Sequence, residues 1–396
     1  MKILNEILEP YIKKELYPGI QWVINANNIK YSGKVGYKDL EKKNPIEENT
    51  IYRIWSMTKP IIAVSAMQLV EQKKINLNDP ITKYLPEFRK LKVLKNEKGD
   101  INDVEEIQVV PTIKHLLLHT AGFSYNFLAD PVGRYYDKIR LFSSSTTSLE
   151  EEIKLLTKSP LLFQPSTKWR YSVSMDVLAR IIEIVEKENL QTILNESIFI
   201  PLKMYNTNFF ISNKDADRVM QSYEFDPLNI KLREHILDPQ KIGNYAYPLH
   251  NINYARGGHG LFSTIGDYSK FIQMLQTGKS QDNKKILEPE TLNFMTINHL
   301  DNNFFPIEIL SIGMLKNDNY VNDLDPYGWG LGFRVLLDTD KNQNLGSRGE
   351  FGWSGAASTY FLVDNKKNIS AVLMTQVLGG HPDLKKDFYK FIYTNF

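Results

Sequence analysis

The chain has 396 residues, of which 42% are hydrophobic and none is cysteine. This length is sufficient for two substantial hydrophobic cores, and the absence of cysteine excludes disulfides, thiolate catalysis and cysteine-bound metals. Lysine and arginine number 48 against 46 aspartate and glutamate residues, with no long block of one sign. The charge pattern therefore argues against nucleic acid or an anionic membrane as a partner, and it favours neutral or mildly polar molecules.

The first residues, MKILNEILEPYIKKELYPG, interleave apolar with charged positions and predict an amphipathic helix rather than a signal peptide. No apolar run elsewhere in the sequence is long enough to span a membrane. Together these patterns predict a soluble cytoplasmic protein, and a periplasmic location stays open if the chain is a mature form.

Residues 21–37 contain two β-like runs around Asn27 and Asn28, which predicts a hairpin. A mostly apolar helix is expected to follow from near Ser56, and residues 96–106 are predicted to form a charged surface excursion. The later predictions are helices at 112–118, 174–187, 257–275 and about 383–394, an irregular stretch at 206–256, and two strands within 357–376 joined at 365–367.

Strands near both ends of the chain, with helices and loops between them, predict a mixed α/β (α+β) architecture. We expect residues 1–75 and 257–396 to form one α/β sheet domain from the two ends of the chain. Residues 76–256 are then expected to form a mostly helical inserted domain.

Ser56 and Lys59 lie in the sequence IYRIWSMTKPIIAVSAMQLVEQ, residues 51–72. A helix that begins near Ser56 places Pro60 in or beside its first turn, where the missing N–H of proline costs little. Lys59 then follows three residues later on the same face, so that the serine hydroxyl and the lysine amine can meet. The rest of the helix is almost wholly apolar, which predicts burial and a lowered pKa for Lys59. The pattern predicts a nucleophile beside a base.

A second candidate group lies in FQPSTKWRYSVSMDVLARIIE, residues 163–183. Tyr171 precedes a predicted helix that we expect Ser172 or Ser174 to cap, and at this place its side chain can project into a cleft. A tyrosine in this position is more often a packing residue, but beside a buried lysine it can share a proton with the amine. Asp176, in the first turn, suits the helix dipole, and that role is sufficient to explain it.

The seven histidines form no compact set of ligands, so we predict neither a metal site nor a cofactor. His119 in HTAGF and His259 in GGHG are expected to serve local structure. GGHG lacks a following Gly-Lys-Ser/Thr and is therefore not a phosphate loop. Tyr125, Trp329 and Trp169 are candidates for the lining of a pocket, although aromatic residues are more often part of the core.

Five motifs occur between about Pro18 and Gln376 in the following order: SMTKP, LLLHTAGF, QPSTKWRYSVSMDVLARIIE, GGHGLFSTIGDYSKF and FGWSGAASTYFLVD. In this order they resemble the motifs of the serine β-lactamase and penicillin-binding-protein superfamily. The resemblance is greatest to the class C β-lactamase-like branch, which includes the family VIII carboxylesterases. It implies an antiparallel sheet flanked by helices, a mostly helical inserted domain, and an active site between them.

Carried over residue by residue, the resemblance makes Ser56 the acylated nucleophile, Lys59 its partner and Tyr171 the tyrosine of the second motif. The third motif, usually Lys-Thr-Gly on a strand edging the site, matches Trp353-Ser354-Gly355. An oxyanion hole formed by the backbone N–H groups of Ser56 and Ala356 is also implied. Gly355 would allow the acyl group to approach the strand closely. The expected substrate-binding residues are Trp353, Ser354, Gly355, Tyr125 and Trp329.

Two departures from the lactamase pattern bear on the substrate. Val173 stands where lactamases carry an asparagine, which removes an amide donor, and Trp353 replaces the lysine of the third motif, which removes a cation that would pair with a substrate carboxylate. Both changes make the pocket more apolar, as in family VIII esterases that hydrolyse short-chain esters. The glutamate that class A lactamases use in deacylation has no recognisable context, because the chain contains neither Ser-Asp-Asn nor Lys-Thr-Gly.

Three functions are compatible with this pattern. The first is a serine carboxylesterase that cleaves small, short-chain esters without a cofactor. The second keeps the covalent chemistry but changes the acceptor or the bond, as in acyl transfer, weak β-lactam hydrolysis, or D-amino-acid peptide or amide cleavage. The third is a non-catalytic relative that binds peptide or cell-wall fragments, and the intact Ser56, Lys59 and Tyr171 argue against it. The acyl chain, the alcohol and the oligomeric state are not predicted.

Overall fold

A computed structural model describes residues 2–144, 146–226, 231–234, 247–251, 253–309, 323–381 and 383–396. The helices are α1 (Lys2–Lys13), α2 (Thr58–Glu71), α3 (Ile113–Leu117), α4 (Pro131–Lys138), α5 (Leu149–Leu156), α6 (Ser174–Glu186), α7 (Leu190–Leu194), α8 (Ile265–Thr277), α9 (Pro289–Met295) and α10 (Asp383–Asn395). None of the helices in the described ranges is long and apolar enough to cross a membrane.

The strands are β1 (Gly19–Ala26), β2 (Ile29–Asp39), β3 (Asn44–Pro45), β4 (Ile51–Arg53), β5 (Lys92–Leu94), β6 (Val104–Glu106), β7 (Tyr223–Asp226), β8 (Lys231–Glu234), β9 (Phe262–Thr264), β10 (Tyr327–Trp329), β11 (Arg334–Leu336), β12 (Phe351–Gly355), β13 (Thr359–Asp364), β14 (Ile369–Met374) and β15 (Val377–Leu378). Eight of them form one sheet in the order β10-β11-β12-β13-β14-β1-β2-β3, and every neighbouring pair is antiparallel. The predicted mixed α/β fold with an antiparallel sheet is confirmed.

The two ends of the chain meet in the middle of this sheet. β1 pairs with β14 from Gln21 opposite Met374 to Ala26 opposite Ile369. The hairpin of β1 and β2 turns at Asn27 and Asn28, both with positive φ, 51° and 65°. A type I′ hairpin turn needs two consecutive residues with positive φ, and asparagine tolerates this conformation. The predicted hairpin is therefore confirmed.

The sheet carries a different core on each face. Successive side chains of a strand point to opposite faces, so Trp22 packs in a cluster with α1 and α10, whereas Val23 belongs to the larger cluster on the other face. Helix α8 packs on β14 at that second face. The larger cluster includes Ile62, Leu116 and Phe361, which come from both sides of the predicted domain boundaries. The division at residues 75/76 and 256/257 stays a prediction.

Helix α2 is buried on almost every side. Every residue from Thr58 to Leu69 is buried, as the nearly continuous apolar run predicts. A short 3-10 turn, Trp55–Met57, precedes the helix, and Pro60 is the third helical residue. Pro60 therefore falls in the first turn, where no intrahelical partner is lost.

Three local predictions need correction. The start of α6 is not capped by a serine side chain: Val173 occupies the N-cap position, while the hydroxyls of Ser172 and Ser174 lie 2.8 Å apart and bond to each other. The predicted helix at 257–275 begins only at Ile265, because residues 262–264 form β9, which pairs with β4. The stretch 206–256 contains β7 and β8, and its residues 227–230, 235–246 and 252 lie outside the described ranges.

Candidate active site

The hydroxyl of Ser56 lies at the head of α2, within hydrogen-bond distance of a buried amine. The Nζ atom of Lys59 donates to the Ser56 Oγ atom over 3.1 Å. Ser56 is half-buried, whereas the Lys59 side chain is only 1% exposed. The turn therefore presents a hydroxyl at the surface and keeps the amine beneath it.

Three further contacts fix the Lys59 amine. Its Nζ atom donates to the carbonyl oxygen of Gly258 over 2.6 Å, and it stands 4.6 Å from the ring centre of Tyr171 and 5.1 Å from that of Tyr125. Burial lowers the pKa of Lys59 from 10.5 to about 7, against the opposing effect of the Asp176 charge. An amine with this pKa is partly neutral near neutral pH and can accept a proton.

Pairing of β4 with β9 brings Gly258 to the Trp55–Met57 turn, which carries the predicted nucleophile Ser56. The Ile54 N–H donates to the Leu261 carbonyl over 3.0 Å, and the Leu261 N–H donates to the Thr58 hydroxyl over 3.3 Å. The segment before β9 is thereby held against the first turn of α2. This long-range pairing delivers the carbonyl that Lys59 uses.

Tyr171 is the third group at this point, and its hydroxyl is held from two sides. The phenol oxygen accepts a hydrogen bond from Trp353 Nε1 over 3.2 Å and is also hydrogen-bonded with Ser56. Burial raises the pKa of Tyr171 above its usual range, and the two hydrogen bonds only partly offset this effect. The phenol therefore keeps its proton near neutral pH.

Strand β12 lies beside the turn that carries Ser56. Its first residues, Phe351 and Gly352, pair with β11, whereas Trp353–Gly355 pair with β13 alone among the described strands. A Cβ atom on Gly355 would lie 2.5 Å from the Ile54 carbonyl oxygen and 2.3 Å from Thr359 Oγ1. Gly355 is thus needed because β12 comes very close to the segment before Ser56. The reason expected from the sequence is different, namely the close approach of an acyl group to the strand.

The turn after β12 is open to solvent at Ala356, and Ser354 is half-buried. Ser56, Ser354 and Ala356 are accordingly the accessible residues of the predicted site. The assignment of the Ser56 and Ala356 N–H groups to an oxyanion hole stays a prediction.

The predicted aromatic residues lie in one cluster around Tyr171. The Tyr125 ring centre is 5.3 Å from that of Tyr171, and the Trp353 ring centre is 5.4 Å from it. Trp329 is fully buried, 4.6 Å from Trp353 between ring centres, and its Nε1 donates to the Leu117 carbonyl. Trp329 therefore supports the wall through Trp353 and has no exposed surface of its own. Trp169 also stacks within this cluster, 6.4 Å from Tyr171.

The two histidines singled out in the sequence are both buried. His119 Nδ1 lies 3.2 Å from the Ser172 hydroxyl, and its ring packs 4.9 Å from that of Tyr171. His259 Nε2 lies 3.1 Å from the Tyr254 hydroxyl. In the described part of the chain, no group of three or more histidine, aspartate or glutamate side chains is arranged to hold a metal ion.

Asp176 and Gly258 belong to the site, and sequence reasoning missed both. The Gly258 N–H donates to Asp176 Oδ1 over 2.9 Å, and the Asp176 side chain is fully buried. In the sequence, Asp176 is explained by the helix dipole alone. GGHG is rejected there as a phosphate loop and used only as part of a family motif, with no role for Gly258. One signal was available in the sequence. Asp176 lies in the first turn of the helix that follows Tyr171, so the two side chains can be expected to point into the same part of the protein interior.

The fold and this arrangement define an antiparallel-sheet protein with a Ser-x-x-Lys pair at the head of a buried helix and a tyrosine hydroxyl beside the serine. The chain belongs to the β-lactamase family, whose model matches residues 4–391. This confirms the resemblance to the serine β-lactamase and penicillin-binding-protein superfamily.

Relatives and solved structures agree with this membership. An uncharacterized protein of Mycobacterium tuberculosis is 29% identical over 89% of this chain and 83% of its own length. The esterase EstB of Burkholderia gladioli is 24% identical over 92% of this chain and 86% of its own length. The structure of EstCE1, described as a hydrolase with promiscuous acyltransferase activity, superposes with a TM-score of 0.80 at 24% identity and covers 99% of this chain and 98% of its own. At this identity the structural match establishes the shared fold.

Proposed function

We propose that this protein is a serine hydrolase that cleaves small, short-chain carboxylic esters through an acyl-enzyme on Ser56. The observation that carries the proposal is the 3.1 Å contact between Lys59 Nζ and the half-exposed Ser56 hydroxyl. A buried amine in contact with an accessible hydroxyl is the arrangement that activates a serine nucleophile. Membership of the β-lactamase family and the similarity to EstB support it.

In the proposed reaction, the Ser56 oxygen attacks the ester carbonyl and its proton passes to Lys59. The resulting oxyanion is held by the backbone N–H groups of Ser56 and Ala356. Collapse of the tetrahedral intermediate breaks the bond to the alcohol oxygen, which takes a proton from Tyr171, and Lys59 returns a proton to the phenolate. Water then attacks the acyl-enzyme by the same steps and releases the carboxylic acid.

The opposite pKa shifts of Lys59 and Tyr171 support the roles of base for Lys59 and proton donor for Tyr171. The lowered pKa of Lys59 makes its amine available as the base, whereas the raised pKa of Tyr171 keeps the phenol protonated. The Trp353 N–H donates to the phenol oxygen, so it stabilises the phenolate that forms when Tyr171 gives up its proton. Tyr171 therefore acts as the proton donor to the leaving alcohol.

Trp353 also supports a neutral ester as the substrate. It stands where the third motif of lactamases carries a lysine, and its indole N–H is engaged by Tyr171. A substrate carboxylate would meet an aromatic wall at this position instead of a cation, at the cost of desolvating the charge. β-Lactams and peptides with a free carboxylate are for this reason poorer candidates than short-chain esters.

Acyl transfer to an alcohol is the second candidate, because the same acyl-enzyme can be attacked by water or by an alcohol. EstCE1, which shares the fold over nearly the whole chain, is described as having promiscuous acyltransferase activity. Adding a primary alcohol during ester turnover distinguishes the two reactions. In a hydrolase the acyl group ends only in the carboxylic acid, whereas in a transferase part of it ends in an ester of the added alcohol.

The proposal is tested with p-nitrophenyl acetate, butyrate and octanoate, and with nitrocefin as the β-lactam. Ser56→Ala is the test variant, and Ser65→Ala, which removes a buried hydroxyl from α2 immediately after the Ser56 turn, is the control. We expect ester turnover in the wild type and in Ser65→Ala, at most weak nitrocefin turnover, and none in Ser56→Ala. Ester turnover by folded Ser56→Ala protein, or nitrocefin as the best substrate, would overturn the proposal.

A further inference from the structure

Asp176 is a buried acid that takes no part in the proposed reaction. It lies in the first turn of α6, is fully buried, and its Oδ1 atom accepts the Gly258 N–H over 2.9 Å. Its Oδ2 atom is also buried and has no hydrogen-bond partner among the described residues. A helix dipole alone does not account for a carboxylate kept this far from water, because burying a charge is costly.

Gly258 connects this acid to the nucleophile. Its N–H is bound by Asp176, and its carbonyl oxygen accepts Lys59 Nζ over 2.6 Å. A Cβ atom at this position would lie 2.4 Å from Asp176 Oδ2 and 2.5 Å from the Tyr125 hydroxyl oxygen. The glycine is therefore held between the acid and the amine, and a side chain there would push them apart.

We propose that Asp176 is a positioning residue which, through Gly258, holds the Lys59 amine against the Ser56 hydroxyl and supplies the negative charge that the buried amine faces. This inference rests on the proposed function, since it assigns a role within the same site. Asp176 acts through Gly258 and Lys59 and makes no contact with the substrate.

The charge of Asp176 determines the direction of the expected effect. The charged and titratable groups that face Asp176 or Lys59 from the packed elements are Arg256, Glu152, Tyr254, Tyr125, Tyr171 and His119. Burial raises the pKa of Asp176, and the hydrogen bond from the Gly258 N–H and the charges of Lys59 and Arg256 lower it only in part. The negative charge in turn raises the pKa of Lys59, so its removal makes the amine lose its proton at lower pH.

The test measures the rate at which a fluorophosphonate labels Ser56 between pH 5 and pH 9, on the full chain. In this reaction the serine oxygen bonds to phosphorus, fluoride leaves, and the serine proton passes to Lys59, so the rate falls on the acid side as the amine becomes protonated. Asp176→Asn keeps an oxygen for the Gly258 N–H and removes only the charge. Asp267→Asn is the matched control, because Asp267 is likewise a buried acid in the first turn of a helix, α8, and accepts a backbone N–H, that of Asn206.

In the plot of labelling rate against pH, we expect the acid limb of Asp176→Asn to move to lower pH by about one unit. The acid limb of Asp267→Asn should coincide with that of the wild type. An unmoved limb in Asp176→Asn, or an equal shift in Asp267→Asn, overturns the inference while leaving the proposed function intact. No labelling of wild-type Ser56 at any pH instead overturns the proposed function itself. Asp176→Ser is a second, smaller variant with the same expected shift. If neither Asp176 variant folds while Asp267→Asn does, Asp176 serves stability and the inference is wrong.

Discussion

At the level of a single residue, Trp353 is the side chain that the proposed function places both in the substrate pocket and beside the proton donor Tyr171. Its side chain packs against Tyr171, and its indole N–H is hydrogen-bonded to the Tyr171 oxygen over 3.2 Å. A hydrogen bond of this kind is worth about 1–1.5 kcal/mol, which corresponds to roughly a fivefold to tenfold effect on a rate. Under the proposed function, tryptophan at the place of the third-motif lysine supplies no cation and instead gives the phenol a hydrogen-bond donor.

Trp353→Phe is expected to lower kcat about tenfold, because an aromatic ring remains but the donor to Tyr171 is lost. The matched control is Trp329→Phe, which removes another indole N–H from the same aromatic cluster, here one bonded to the Leu117 carbonyl. Steady-state kinetics with a p-nitrophenyl ester measure the change in kcat, and thermal unfolding measures the change in stability. Both variants should lose stability, and an equal fall of kcat in both would contradict the orienting role of Trp353.

The pH dependence of the wild type follows from the pKa of Lys59. Burial lowers it to about 7, and only the neutral amine can accept the Ser56 proton. We therefore expect kcat/KM for a neutral ester to rise with pH and to reach half its maximum near pH 7. An acid limb near the ordinary lysine pKa of 10.5 would show that the amine is not desolvated in the way the structure indicates.

The sequence predicts some site residues and not others for a physical reason. Ser56 and Lys59 meet because they are three residues apart across a 3-10 turn that leads directly into α2, so local spacing is sufficient. Gly258 reaches Lys59 across 199 positions and Asp176 reaches Gly258 across 82. Contacts of this kind depend on how β4 pairs with β9 and how α6 packs, which no local pattern encodes.

Strand β12 controls the geometry at the level of the secondary-structure element. It lies against the segment before Ser56 with no room for a side chain at Gly355, as the 2.5 Å approach of a Cβ atom to the Ile54 carbonyl oxygen indicates. Displacing this strand would also displace Trp353 and Ala356. A misplacement of about 1 Å at a catalytic site can cost about a hundredfold in rate.

Gly355→Ala is accordingly expected to lower kcat/KM by about a hundredfold and to destabilise the fold. Gly266→Ala is the control, because Gly266 lies in the first turn of α8 and a Cβ atom there would have only Thr264 Oγ1 near it, at 4.0 Å. That change should leave kinetics unchanged and raise the free energy of unfolding by about 0.5–1 kcal/mol. Unchanged kinetics in Gly355→Ala would contradict the close contact between β12 and the nucleophile turn.

Elements with strong local patterns are predictable, whereas short elements held by distant partners are not. The hairpin at Asn27 and Asn28 follows from turn chemistry, and helix α2 follows from a long apolar run behind a proline in the first turn. Strand β9 has three residues and exists because it pairs with β4, more than two hundred positions earlier. The cap predicted for α6 fails because the Ser172 hydroxyl is already engaged by Ser174 and lies beside His119.

At the scale of the whole molecule, the sheet separates two hydrophobic clusters. Trp22 belongs to the smaller cluster, which α1 and α10 cover, whereas Trp353 and Tyr171 belong to the larger cluster on the other face. Because the pleat sends alternate side chains to opposite faces, one strand serves both clusters. Stability contributed by the smaller cluster should be separable from the activity of the site.

Phe388→Ala in α10 tests this separation. Phe388 is fully buried in the smaller cluster, and truncating a buried phenylalanine costs about 3–5 kcal/mol. Urea unfolding should register this loss, while the folded variant should retain wild-type kcat/KM at low temperature. Lys390→Ala, an exposed position in the same helix, should change the free energy of unfolding by less than about 0.5 kcal/mol. A large fall in the kcat/KM of folded Phe388→Ala would indicate that the two faces are coupled.

The most direct test of the account is to trap the covalent intermediate. The wild type is mixed with p-nitrophenyl butyrate, quenched in acid after a few turnovers, and examined by intact mass spectrometry followed by peptide mapping. The account predicts a fraction of protein heavier by one butyryl group, carried on Ser56 and absent from Ser56→Ala. A modification on another residue, or an equal adduct in Ser56→Ala, would contradict the central claim that Ser56 is the nucleophile.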